Sequence, residues 1–242
     1  MPEQPLLPGG IGMSRLRVYP WDTDDGSYGG SPHMHLTCTE CYVVLGGTGE
    51  LHTVTAAGLS RVPLEPGDAV WFTPGTVHRA VNNGGLRVQV LMQNDGLPEA
   101  GDAVLTFPAR YLESPRAYAS VAAIGDGDPS EREHRARRRR DLAVAGFGEL
   151  VVGGAQALER FYAAAVALVA DRLPDWEKTW RDRALAAAER TGTQIAALRR
   201  GDGSHLRAAA VTRLTDPAED TLGMCGYLAP YRRDQAVAPR VT

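Results

Sequence analysis

Between residues 14 and 108 the apolar positions come in short runs: Cys41 to Leu45, Leu51 to Thr55, Ala69 to Phe72 and Leu86 to Met92. Clusters of turn-forming residues separate them, namely Gly46-Gly47, Pro66-Gly67-Asp68, Pro74-Gly75 and Asn82-Asn83-Gly84-Gly85. Each cluster supplies a positive φ or a pre-set φ of about −65°, which is what a reversing chain needs. Short runs with recurring turns predict strands arranged as a sandwich or barrel. Past residue 130 the period changes. Leu158, Phe161, Tyr162, Ala165, Leu168 and Val169 recur at three and four residues and predict a helix with one apolar stripe, ended by Pro174. A further helix is expected from there, with Asp175 as N-cap, Trp176 and Trp180 on one face, and strong helix formers over Ala184 to Glu189 before Gly192 interrupts them. Gly125-Asp126-Gly127-Asp128-Pro129 has linker chemistry, and Thr221 to Tyr231 reads as a strand or an ordered tail. The expected division is a β-domain over 14–108, a linker over 109–130 and a helical C-terminal region over 131–242.

Composition narrows the class. The chain has 242 residues, 43% hydrophobic and 23% charged, with net charge −3, which is the make-up of a soluble globular protein. No run of about 18 apolar residues is present to cross a bilayer. The first fifteen residues hold Glu3 and three prolines and lack the apolar core of a secretory leader. The expectation is a cytoplasmic protein with no membrane partner. Cys38, Cys41 and Cys225 are too few for a disulfide framework, and one C-x-x-C without a second pair does not make a zinc ribbon. They read as packed thiols in a reducing compartment. The arginine cluster Arg132, Arg135 and Arg137 to Arg140 is interspersed with Glu131, Glu133 and Asp141 and has no aromatic residues among it. It is therefore expected to be a solvated helix entry, with no nucleic acid as partner. A helix-turn-helix over Ala184 to Arg200 would leave a reading helix of only two turns from Thr193.

Four residues carry candidate chemistry: His33, His35, Glu40 and His78. Alternate side chains of a strand share a face, so His33 and His35 project together while Met34 points away. Leu36 to Thr39 can turn the chain, bringing Glu40 in from the next antiparallel strand. The turn Thr73-Pro74-Gly75-Thr76 can return His78 to the same point. Three imidazoles and a carboxylate suit one divalent transition metal, iron(II), manganese, nickel, cobalt or zinc, better than magnesium or calcium, which prefer all-oxygen shells. Tyr42 shares the parity of Glu40 and is a candidate catalytic hydroxyl, the alternative being a core tyrosine bonded at the rim. Arg87, Gln89 and Gln93 alternate with Val88, Val90 and Met92, and parity alone does not say which set faces inward. If the polar set does, it would bind substrate. His52 lies outside the constellation and is expected on an exposed strand face.

The stretch from Gly26 to Gly47, with His33-Met34-His35, four intervening residues, Glu40 and a glycine seven positions on, resembles the first signature motif of the cupin superfamily. Gly67, Pro74-Gly75-Thr76-Val77-His78 and Asn82 resemble the second. Two spacings depart from the pattern: Gly26 stands one residue farther from His33 than usual, and Pro74 directly precedes Gly75. The resemblance implies an all-β double-stranded β-barrel, or jelly roll, over roughly 14–108, with metal in the barrel mouth and frequent pairing into homodimers. It says nothing of the α-helical C-terminal region. A shell of three histidines and one glutamate resembles that of many iron cupins. The implied function is a metal-dependent, dioxygenase-type oxidoreductase acting on a small polar molecule, with Fe2+ favoured. A sugar or sugar-phosphate isomerase, epimerase or lyase and a non-catalytic metabolite sensor are the alternatives.

Overall fold

The computed structural model describes residues 7–218, 221–232 and 236–237; residues 1–6, on which part of the leader reading rests, and the remainder of the C-terminal tail lie outside the described residues. The strands are β1 (Gly12–Val18), β2 (His33–His35), β3 (Glu40–Thr55), β4 (Gly58–Leu64), β5 (Ala69–Phe72), β6 (Val77–Met92), β7 (Ala103–Leu105), β8 (Arg213–Leu214), β9 (Thr221–Leu222), β10 (Gly226–Pro230) and β11 (Ala236–Val237). The main antiparallel sheet runs β4-β3-β6-β1-β10-β9, with β5 on β3 and with β2 bridging β6 and β7. Its inner positions are the alternating apolar ones: Tyr42 and Val44 on β3, Val88, Val90 and Met92 on β6, and Leu16 and Val18 on β1 are all buried.

Two of the expected turns are bends inside long strands. β3 runs straight through Gly46-Gly47 and β6 through Asn82 to Gly85, with pairing shifts between Val44, Gly46, Thr48 and Gly49. The two glycine clusters face each other across the ladder, and the positive φ of Gly47 and Gly85 lets both strands bulge together instead of reversing. Pro66-Gly67-Asp68 and Pro74-Gly75 are turns but close no hairpin: β4 and β5 run in one direction along the same edge of β3, and the reversal between β3 and β4 falls between Thr55 and Gly58.

Four helices follow: α1 (Pro115–Ala122), α2 (Pro129–Val169), α3 (Leu173–Trp180) and α4 (Ala186–Arg199). The stretch expected to be a linker thus holds α1, whose Ser114 side chain accepts from Ala117 N at 3.2 Å over Pro115 in the first turn. α2 starts on the same logic, Asp128 accepting from Glu131 N at 2.9 Å with Pro129 at its first position. It kinks at Gly154 (φ 59, ψ −152). The predicted stripe is real: Leu158, Phe161, Ala165, Leu168 and Val169 join the barrel core in one apolar cluster. α2 ends at Val169, before Pro174, and Pro174 opens α3, where it has no intrahelical donor to lose. Asp175 sits in the first turn of α3 and is not its cap, Trp176 alone of the tryptophan pair is buried, and α4 continues through Gly192.

The region from 131 onward, expected to be mainly helical, also returns strands to the sheet. β10 pairs with β1, placing Leu228 opposite Leu16. Of the two readings of Thr221 to Tyr231, the strand is the one adopted, because β1 otherwise presents an open edge beside β6. The arginine cluster also departs from a fully solvated face. Arg139 and Arg140 are buried, and their guanidinium groups donate to Gly223 O (2.6 Å) and Trp21 O (3.0 Å). Arg137 stacks on Trp21, 4.3 Å from the ring centre.

By length and mean composition one window within Pro129–Arg199 is apolar enough to cross a membrane (mean hydropathy 1.2, 33% buried). The same run contains the stripe packed on the barrel. Truncating Phe161 to alanine is therefore expected to destabilise the whole protein by about 3 kcal/mol. In denaturant unfolding the barrel and helices should lose structure in one transition shifted to lower midpoint, and a barrel transition left in place would show the helices to be independent.

Candidate metal centre

β2 is only three residues long, yet each of its neighbours fixes a ligand. His33 lies opposite His78 in the β2–β6 register, which sets two imidazoles side by side with ring centres 4.2 Å apart. The turn before β6 has the chemistry of a type II turn: Thr76 N donates to Thr73 O at 3.1 Å, Pro74 sits at the first corner, and Gly75 has φ of 86° at the second. That turn is held from both sides. Gly75 N donates to His35 O at 3.0 Å, and the Tyr162 hydroxyl, from the apolar stripe of α2, donates to Gly75 O at 2.7 Å. Glu40 opens β3 on the inner parity shared with Tyr42. The ligand atoms of His33, His35, Glu40 and His78 lie within 4.8 Å of one another, and all four residues are buried.

The outer edges of the rings decide which nitrogen faces inward. His33 Nδ1 lies 2.9 Å from Ser31 O and His78 Nδ1 lies 3.1 Å from Thr76 O. A carbonyl can only accept, so each Nδ1 carries a proton and it is Nε2 that each ring turns inward. His35 Nδ1 lies 3.0 Å from Asp102 Oδ2 and is oriented in the same way. Asp102 is itself fixed, its Oδ1 accepting from Thr37 N (2.8 Å) and Thr37 Oγ1 (2.6 Å). Three Nε2 atoms and a carboxylate then meet at one point. Glu40 Oε2 is 3.1 Å from both His35 Nε2 and His78 Nε2, but both Glu40 Oε2 and His78 Nε2 lack a hydrogen-bond partner among the described residues. Buried acceptors facing one another are costly unless a cation sits between them. The cluster can therefore hold a metal ion, and the carbonyl and carboxylate contacts behind the rings are those that orient imidazole ligands.

The charge balance points the same way. Burial, followed by His78 and His35, holds the His33 ring well below its ordinary value and so neutral. Burial also pulls His35 down, but the Asp102 and Glu40 carboxylates on either side outweigh this and bring it up to about 9. Burial alone would raise Glu40, yet the His35 and His78 rings beside it keep the carboxyl well below the usual range.

Beside the ligands lies a cavity of about 230 Å³, reached by His33, His35 and Glu40. Tyr42 lines it, fully buried, with a hydroxyl that has no well-formed hydrogen bond and lies between Glu40 and Cys225. Burial, then the Glu40 charge, raises Tyr42 well above the usual phenol value, so it stays protonated. The other predicted contacts are elsewhere. Arg87 and Gln93 are exposed and Gln89 is half-buried, with Gln89 Nε2 bonded to Ser14 O at 2.8 Å. Inward parity on β6 belongs to Val88, Val90 and Met92, so none of the three polar side chains reaches the cavity. His52 is buried, not exposed, with Nε2 2.6 Å from Glu50 Oε2.

Two contributors carry no spacing signal in the sequence. Asp102 precedes β7, far from either motif. The segment around Cys225 enters from the far end of the chain: Ser31 N donates to Met224 O (2.9 Å), Tyr19 N donates to Cys225 O (3.2 Å), and a Cβ on Gly30 would collide with the Cys225 backbone. The Cys225 thiol, pushed up to about 12 by burial and then by Glu40, sits 3.9 Å from His33 Nδ1. Cys38 is buried and Cys41 half-buried, both as free thiols beside the β2–β3 turn.

Residues 21–93 match the family model of the cupin domain, so the β-domain is a cupin domain. No curated protein matches the sequence. Among solved structures, Streptomyces Pac13, described as a nucleoside dehydratase, is 14% identical over 40% of this chain and 69% of its own, with TM-score 0.31. An uncharacterised Klebsiella pneumoniae protein with a double-stranded β-helix domain is 19% identical over 36% and 66% (TM-score 0.30). An oxalate oxidase bound to the substrate analogue glycolate is 20% identical over 34% and 40% (TM-score 0.28).

His78→Ala is expected to abolish metal retention after dialysis, and Asp102→Asn to weaken it about 10–100-fold in chelator competition. Because His35 holds its proton up to about pH 9, metal uptake at pH 7 to 8 should release about one proton, and above pH 9 almost none. Calorimetry in buffers of different ionisation enthalpy reads that number directly.

Proposed function

We propose that this protein is a metal-dependent cupin enzyme of the dioxygenase type, holding one divalent first-row metal, Fe2+ favoured over Mn2+, Ni2+, Co2+ or Zn2+, on His33, His35, Glu40 and His78. The observation that carries the reading is the inward set of Nε2 atoms, turned that way by Ser31 O, Thr76 O and Asp102, meeting Glu40 beside a cavity large enough for a small molecule. When bound, the metal supplies a Lewis acid and, as iron, a partner for dioxygen. Four protein donors fill a tetrahedral shell but leave a six-coordinate one open to substrate.

The protein's own residues have distinct tasks in that chemistry. Glu40 gives the site one negative charge, so a divalent ion leaves a net positive centre that attracts an oxygen donor. Asp102 keeps the His35 lone pair pointed inward. Tyr42 retains its proton at neutral pH beside the ligands and serves as hydrogen-bond or proton donor to a substrate oxygen. The apolar walls exclude water from that exchange. On the same reading the partner is a small molecule, in the cytoplasm and without nucleic acid or membrane. Exposed Leu45, Leu59, Val62 and Trp71 on β3 to β5 support a homodimer.

Protein loaded anaerobically with Fe2+ should retain one ion per chain and consume oxygen with a member of a substrate panel. Tyr42→Phe should keep the metal and slow turnover about 100-fold; unchanged turnover would make Tyr42 a packing residue. Ligand binding without oxygen uptake across the panel would favour the sensor.

A further inference from the structure

The walls of the cavity say more about its ligand than the metal ligands do. Leu16 from β1, Val90 and Met92 from β6, Leu228 from β10 and Met224 from the segment before it form an apolar part of the lining. Each of these strand positions follows from inward parity, so the lining is a continuation of the barrel core that has been left open. Among the described residues no lysine or arginine side chain lines it. Its carboxylates away from the ligands are Asp95, whose Oδ2 accepts from Arg183 at 3.1 Å, and Glu99, which is exposed. The hydroxyl of Tyr42, buried and without a well-formed bond, lies at the ligand end.

These features select a ligand class, and the selection rests on reading the four residues as a metal site. A phosphate or sulfate needs charge-assisted donors, typically a guanidinium, an ammonium or several backbone N–H groups, and here it would meet two further carboxylates instead. A sugar would set several hydroxyls against Leu16, Val90 and Leu228 with no partner, at about 1–3 kcal/mol for each one left unsatisfied. An aromatic or branched apolar body has the opposite balance. It gains burial against the aliphatic walls, and the thioethers of Met13, Met92 and Met224 make favourable contacts with a ring. An apolar cavity of about 150 Å³ accepts benzene, so one of about 230 Å³ accepts a molecule roughly half as large again.

We propose that the cavity takes an uncharged, mainly apolar molecule of about nine or ten non-hydrogen atoms, with one oxygen end directed to the metal and Tyr42. This replaces the small polar metabolite expected from sequence and sets aside the sugar-phosphate substrate.

The test uses the full-length protein loaded with Zn2+, which cannot turn over with oxygen, and isothermal calorimetry with two probes, 4-methylcatechol and glucose 6-phosphate. 4-Methylcatechol should bind one to one and glucose 6-phosphate should give no heat at millimolar concentration. Met224→Glu should weaken 4-methylcatechol at least tenfold with Zn2+ content unchanged, and Met224→Leu should restore it. Tighter binding of glucose 6-phosphate, or a 4-methylcatechol affinity indifferent to Met224→Glu, would overturn the proposal. Protein that takes up Zn2+ but no 4-methylcatechol would overturn it while sparing the metal site. Protein that takes up no Zn2+ yet binds 4-methylcatechol in a Met224-dependent way would uphold the apolar cavity and refute the metal reading.

Discussion

The constraint on which the rest of the structure depends is that three imidazoles are buried with their outer nitrogens already committed. Ser31 O, Thr76 O and Asp102 Oδ2 each take an Nδ1 proton, and a neutral ring then has only a lone pair to offer on the other side. Had the rings been free to choose, either tautomer or a protonated ring could have satisfied Glu40 by ordinary hydrogen bonding. Fixing the outer edges removes the choice of tautomer for His33 and His78 and turns both Nε2 atoms toward Glu40, where a cation can sit. His35 is the exception that tests the logic. With acids on both sides it binds a proton up to about pH 9, so there a cation must displace the proton.

Holding those outer contacts requires segments far apart in the chain. Asp102 stands between β6 and β7 and ties the β2–β3 turn to His35 through Thr37. The Gly75 turn that delivers His78 is buttressed by Tyr162 from α2. The Cys225 segment arrives after the whole helical excursion and lies so close to Gly30 that no side chain fits there. The β-domain is therefore not closed by residues 14–108 alone. β10 covers the β1 edge and contributes Leu228 to the cavity, and the helices between are the connection that brings it back.

What the sequence made legible follows from how local each determinant is. His33 and His35 share a face by strand parity, Glu40 follows within one turn, and His78 follows a proline–glycine corner, so the four were identifiable without coordinates. Asp102 was not, because its role depends on tertiary proximity to His35 and no periodicity marks it. Gly46-Gly47 and Gly84-Gly85 carry the chemistry of reversal, but paired opposite one another they bend two strands together, a distinction only the partner strand can make. The polar alternation of Arg87, Gln89 and Gln93 was ambiguous for a related reason: which face is inner is decided by β1 and β3 on either side of β6. The arginines of α2 looked solvated because their neighbours are acidic, whereas Arg139 and Arg140 turn toward backbone carbonyls that no local pattern reveals.

Those carbonyls give the helical layer a route to the cavity. Arg139 Nη2 and the Tyr19 hydroxyl both donate to Gly223 O, at 2.6 and 3.0 Å, and Gly223 with Met224 and Cys225 forms one cavity wall. Arg139 is buried and its guanidinium has no carboxylate partner among the described residues, so these carbonyls are what compensate its charge. Losing the Gly223 contact would leave the guanidinium under-solvated and the wall unpinned at once. The coupling is mechanical and local, one donor to one carbonyl, and it explains why a helix with no residue in the metal centre is nonetheless part of the site's construction.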